Sequence, residues 1–92
     1  MIGSITVEAI IYDAGSLKEK RSVLKSVVTR LRDRLNISVA ETDHQNVWQR
    51  TELTIVSVSP DRVRCEQELT RALHFIDSVP EIEAASVKWE WM

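Results

Sequence analysis

The chain is poor in the residues that build covalent or metal-based sites. With one cysteine, Cys65, it forms neither an internal disulfide nor a paired-thiol metal centre. Its two glycines, Gly3 and Gly15, supply no glycine-rich loop to cradle a phosphate. Aromatic residues make up 5%, and none falls within Ile5–Ile11 or Leu53–Val58, where an RNA-recognition motif would stack bases. No apolar run approaches the ~20 residues that cross a bilayer, and the N-terminus lacks the basic-then-apolar order of a secretory signal. These absences point to a cytoplasmic protein with no membrane contact and no cofactor.

What remains is ordinary globular material. Ninety-two residues, 43% hydrophobic and 28% charged, suffice for one domain over 1–92 with a two-layer core. The net charge of −2 hides an asymmetry. Lys18 to Arg34 holds seven basic and two acidic residues, net +5, and the remainder holds five basic and twelve acidic, net −7. A concentrated basic face on an acidic body suits selective docking.

That basic segment is also the longest helical pattern. From Ser16 to Leu35, apolar residues recur at Leu17, Leu24, Val27, Val28, Leu31 and Leu35, the spacing of one buried helix face. Ser16 and Glu19 match a capping box, each satisfying a free backbone N–H. Asn36 is the expected stop, as a residue tolerant of the left-handed conformation. On a helical wheel Lys18, Arg21, Lys25 and Arg32 form a cationic stripe, with Arg30 and Arg34 on the other flank.

Elsewhere the period is that of strands. Ile2 to Tyr12 alternates Ile5, Val7, Ala9 and Ile11 with Ser4, Thr6 and Glu8. Ile37 to Thr42 and Trp48 to Ser59 read as a hairpin closed by Asp43-His44-Gln45-Asn46. Ser59-Pro60-Asp61 then signals a helix capped by Ser59, with Cys65, Leu69, Ala72, Leu73 and Ile76 as its buried stripe. Pro80 marks its end, and Ile82 to Met92 is a last strand with Val87, Trp89 and Trp91 on one side. The order βαββαβ, joined by right-handed crossovers, is an α+β ferredoxin-like sandwich: a four-stranded antiparallel sheet with both helices on one face. Ile10, Tyr12, Val56 and Val58 are candidates for the open face, where apolar residues favour a homo-oligomer.

Two blocks carry a specific likeness: S-L-K-x-K-R-x-V-L-K at Ser16 to Lys25, and V-A-E-x-D-H-Q-x-x-W-Q-R at Val39 to Arg50. On these the chain resembles the YlxP-like family, small bacterial domains of unknown function. It departs at Leu35, where the family is usually aromatic, and at Asn46-Val47, where an acidic residue and leucine are more usual. The resemblance implies a ferredoxin-like fold and supplies no catalytic residue. It also implies a link to translation, since family genes often lie beside that of ribosome-binding factor A.

Two candidate sites follow. The stripe Lys18, Arg21, Lys25 and Arg32 spans about 21 Å of helix and is able to follow phosphates on structured RNA, such as ribosomal RNA or a ribosomal subunit, without reading bases. The bland alternative is a solvated face whose long stems shield the core edge. The second candidate is the hairpin, with Glu41, Asp43, His44, Gln45, Trp48, Gln49 and Arg50. Strand alternation sets Glu41 and Asp43 on one side, but no further ligand stands at metal spacing, so no metal is expected. The favoured reading is structural: the polar loop closes the hairpin, Trp48 packs on the sheet edge and Arg50 pairs with a local acid. His44, Gln45, Trp48, Gln49 and Arg50 also suit partner recognition, Trp and Arg being favoured anchors. Cys65, on an apolar helical stripe, reads as a core residue rather than a nucleophile, and Trp89 and Trp91 as packing or interface groups rather than a base-stacking platform. The chain is expected to be a non-enzymatic, ribosome- or rRNA-associated accessory factor, with an oligomeric regulatory or ligand-binding module as the alternative.

Overall fold

A computed structural model describes residues 1–92. The elements are β1 (Ile2–Ile11), α1 (Leu17–Arg34), β2 (Ser38–Asp43), β3 (Arg50–Val58), α2 (Arg62–Asp77) and β4 (Ile82–Trp91). The four strands form one antiparallel sheet in the order β2-β3-β1-β4, the expected ferredoxin-like arrangement. Strand alternation decides which residues meet the helices. Ile5, Val7, Ala9 and Ile11 of β1 and Leu53 and Ile55 of β3 are buried against Leu24, Val27 and Leu31 of α1 and Cys65, Leu69, Ala72 and Ile76 of α2. Each such large aliphatic side chain contributes about 1.5–3 kcal/mol by leaving water.

The α1 stripe differs from the expected arc. Its buried residues are Lys20, Leu24, Val27 and Leu31, while Leu17, Val28 and Leu35 are only half-buried. The helix is thus rolled towards Val27, and Lys20 falls inside the buried arc. At its start Glu19 N–H donates to Ser16 Oγ (3.1 Å) and Glu19 Oε2 accepts from Gly15 N–H (2.6 Å), the reciprocal cap anticipated from the sequence.

Two helix boundaries depart from expectation. Asn36 is not a left-handed stop, because α1 ends at an extended Leu35 (φ −128°). Asn36 instead pins the helix exit to the sheet: its side-chain amide donates to Val58 O (3.0 Å), its carbonyl accepts from Ser57 Oγ (2.8 Å), and its N–H donates to Glu68 Oε2 (2.9 Å). The cap of α2 is Asp61, whose Oδ1 accepts from Arg64 N–H (2.9 Å), and not Ser59. A carboxylate there also faces the positive end of the helix dipole, and Ser59 Oγ is buried without a partner.

Trp89 and Trp91 lie on the helix side of β4, stacked at 5.9 Å, with the Arg62 guanidinium 4.4 Å above the Trp91 ring. Gly3 allows this closeness: a Cβ there would stand 2.7 Å from the Trp91 ring and 2.9 Å from Cys65 Sγ. Cys65 is fully buried, its thiol donating to Ser57 O (3.2 Å), as expected of a core residue.

The open face is more polar than its end residues suggested. Exposed Ile2 and Val58 pair at one end and Ile10 stands near the other. Between them Val56, on the open face as expected, stands beside a polar band formed by Ser4, Thr6, Glu8, Glu52 and Thr54.

Candidate functional site

The most densely connected polar cluster is where the start of α1 meets the β2–β3 hairpin. Lys20 is 0% exposed, and its Nζ donates to His44 O (2.5 Å) and pairs with Glu41 Oε2 (3.0 Å). Thr51 Oγ1, buried on β3, donates to the same carboxylate oxygen (2.6 Å). A buried ammonium is tolerable only with such partners, because desolvating an unpaired charge costs several kcal/mol. His44 makes this possible by adopting a left-handed backbone (φ 63°), with its carbonyl shared by Lys20 and the Val47 N–H (3.0 Å).

The hairpin also closes over the open face. His44 Nε2 lies 3.1 Å from Glu8 Oε2, and Arg50 Nη2 lies 3.6 Å from the same oxygen. Gln49 Nε2 donates to Ala14 O (3.5 Å) and Gln45 Nε2 to Glu41 O (3.5 Å). Of the five residues proposed for partner binding, His44, Gln45, Gln49 and Arg50 therefore contact the chain itself. Trp48 remains 50% exposed and precedes β3, which starts at Arg50 rather than Trp48. Glu41 and Asp43 do not share a side. A bulge between them sets Glu41 opposite buried Leu53 and Asp43 opposite Glu52, on the other face. No three His, Cys, Asp or Glu side chains converge as a metal-holding group.

The cationic stripe is divided. Lys18, Arg21 and Lys25 are exposed, and none is within ion-pair distance of an acid of the chain. Arg32, although exposed, is tethered: its Nη2 donates to Val39 O (2.7 Å) on the outer edge of β2. At the far end of β1, the Tyr12 hydroxyl donates to the Glu83 carboxylate. That hydrogen bond, then the negative charge of Glu83, then slight desolvation, raise the phenol above its usual value of about 10.

A family model described as "Protein of unknown function (DUF503)" matches residues 2–89. The chain belongs to this DUF503, YlxP-like family. "Uncharacterized protein YlxP" of Bacillus subtilis (strain 168) is 54% identical over 91 residues, 99% of each chain. No helix of this DUF503 domain is long and apolar enough to cross a membrane.

The two blocks that carried the resemblance meet in space: Ser16–Lys25 supplies Lys20, and Val39–Arg50 supplies Glu41 and His44. Sequence reasoning passed over Lys20 because it sits in an unbroken run of four charged residues, Lys18 to Arg21, that reads as surface. Its signal lay in position, four residues before Leu24 and seven before Val27, and therefore inside the apolar arc. Glu41 stands two residues after buried Val39, so alternation turns it to the same interior.

Proposed function

We propose that this DUF503 domain is a non-enzymatic accessory factor that docks on structured ribosomal RNA through Lys18, Arg21 and Lys25. The supporting observation is that these three cations share one exposed face of α1 with no acid of the chain to neutralise them. They span about 10 Å of helix at 1.5 Å per residue, a reach suited to successive phosphates of one strand. The hairpin residues support a structural role beside this surface, since Lys20 and the Glu41 carboxylate lock the first turns of α1 to β2. Arg32 is a weaker contributor because its guanidinium is already engaged by Val39 O.

The test is retention on purified ribosomal subunits across a salt series. Three phosphate contacts predict a log–log slope of about −2 to −3. The Lys18→Gln/Arg21→Gln/Lys25→Gln variant should lose retention while melting like the parent. Absence of retention, or a variant that binds as the parent does, would overturn the proposal. Self-association is the second reading. It draws on the apolar corner formed by exposed Ile2 with Val58 and Met92, also exposed, on either side of it. Light scattering at twice the 10.6 kDa chain mass would favour it.

A further inference from the structure

On the flank of α1 opposite the Lys18–Lys25 face, α1 and α2 enclose a cavity of about 170 Å³ lined by Arg30, Leu31, Arg34, Leu35, Arg71 and Phe75. Three arginines line this small space. Arg30 and Arg34 both lie over the Phe75 ring, at 5.5 and 5.4 Å from its centroid, so one aromatic side chain holds two like charges one helical turn apart. Arg30 is further fixed by donating to Ser26 Oγ (2.7 Å) and Ser26 O (3.4 Å). Arg71 donates to Glu68 Oε1 (2.7 Å), whose other oxygen accepts from Asn36 N–H (2.9 Å). Arg34 makes no ion pair with any acid of the chain.

The charges do not balance locally. Glu68 offsets one guanidinium, and the negative end of the α1 dipole amounts to about half a charge. Cations at i and i+4 repel, and no acid lines the cavity. The stacking on Phe75 and the Ser26 bonds hold the fork-shaped donors in place, which lowers the entropy lost when an anion arrives.

We propose that this notch is a seat for a compact phosphate group, held by the guanidinium N–H groups of Arg34 and Arg71 with Arg30 supplying further charge. Planar guanidinium forks match phosphate oxygens two at a time. The cavity volume, below the ~300 Å³ typical of pockets for whole small molecules, selects a phosphate monoester terminus or a pyrophosphate over an entire nucleotide. The seat lies on a different face from the RNA-docking stripe and stands or falls separately from it.

The experiment is an amide and arginine-Nε NMR titration of the intact protein with sodium pyrophosphate, using sulfate at matched ionic strength as the control. A second arm compares a short RNA bearing a 5′-phosphate with the same RNA lacking it. Saturable shifts centred on Arg34, Arg71 and Phe75 are expected with pyrophosphate. Arg34→Gln and Arg71→Gln should each weaken binding at least tenfold, while Lys18→Gln/Arg21→Gln/Lys25→Gln should bind pyrophosphate as the parent does. If only the phosphorylated RNA binds in this notch, the source is an RNA end; if pyrophosphate binds equally well, it is a free anion. Shifts that fail to saturate, that sulfate reproduces equally, or that persist in Arg34→Gln and Arg71→Gln would overturn the seat.

Discussion

Lys20→Met is the substitution that most directly tests how the hairpin is held. Methionine keeps the length of the buried side chain but removes the charge that faces Glu41 Oε2 at 3.0 Å and the donor that reaches His44 O at 2.5 Å. Removing one member of a buried ion pair typically costs about 3–5 kcal/mol. Two features reduce this value: the Glu41 side chain is 20% exposed, so water reaches the orphaned carboxylate, and Thr51 Oγ1 still donates to it. His44 O likewise retains the Val47 N–H. The expected loss is about 3 kcal/mol, the lower end of that range, or roughly 12–24 °C in Tm for a domain of this size. Urea and thermal melts followed by far-UV circular dichroism measure it. Lys20→Met/Glu41→Leu removes both charges together and should recover most of the loss, retaining a penalty of about 1 kcal/mol for Thr51, which then lacks its acceptor. Hydrogen exchange at the Val47 amide should accelerate in the single variant, because the turn that presents His44 O loses its anchor. A single variant within about 1 kcal/mol of the parent, or a double variant whose loss equals the sum of its singles, would refute this account of the network.

The two possible caps of α2 are separable: Asp61→Ala should cost about 1 kcal/mol in urea melts, whereas Ser59→Ala, which removes a buried hydroxyl without a partner, should be neutral or stabilising. Tyr12 is the only tyrosine, so ultraviolet absorbance titration reports it alone, with an expected midpoint above the usual value of about 10 that returns towards it in Glu83→Gln. The raised phenol value means the folded state holds its proton more tightly. Any stability drawn from the Tyr12–Glu83 contact is therefore present below about pH 10 and disappears as pH rises through the folded midpoint.

Local period and tertiary partner account for which features were readable in the sequence. The strands and helices follow from alternation at Ile5–Ile11 and the 3-4 spacing at Leu24–Leu31, and these positions fix the ferredoxin-like order. The cap at Ser16 and Glu19 is local and was legible for the same reason. Asn36 and Ser59 were misplaced because their chemistry admits several hydrogen-bonding roles, and the choice was made by distant residues, Val58 and Glu68 for Asn36. The separation of Glu41 from Asp43 depends on a bulge, which shifts register without altering the residue pattern that strand alternation reads. The basic stripe is legible as a run of cations along α1, but the tether on Arg32 comes from β2, seven residues further along the chain.

That tether bears on how the sheet meets other chains. Val39 O and Glu41 O, two residues apart on the outer strand, are each occupied by a side-chain donor, from Arg32 and Gln45. A visiting strand seeking main-chain partners there must first displace both. No side chain bonds to the main chain of β4 at the opposite margin. The main chain of the border carrying Lys88 and Glu90 is thus the one free of side-chain competitors.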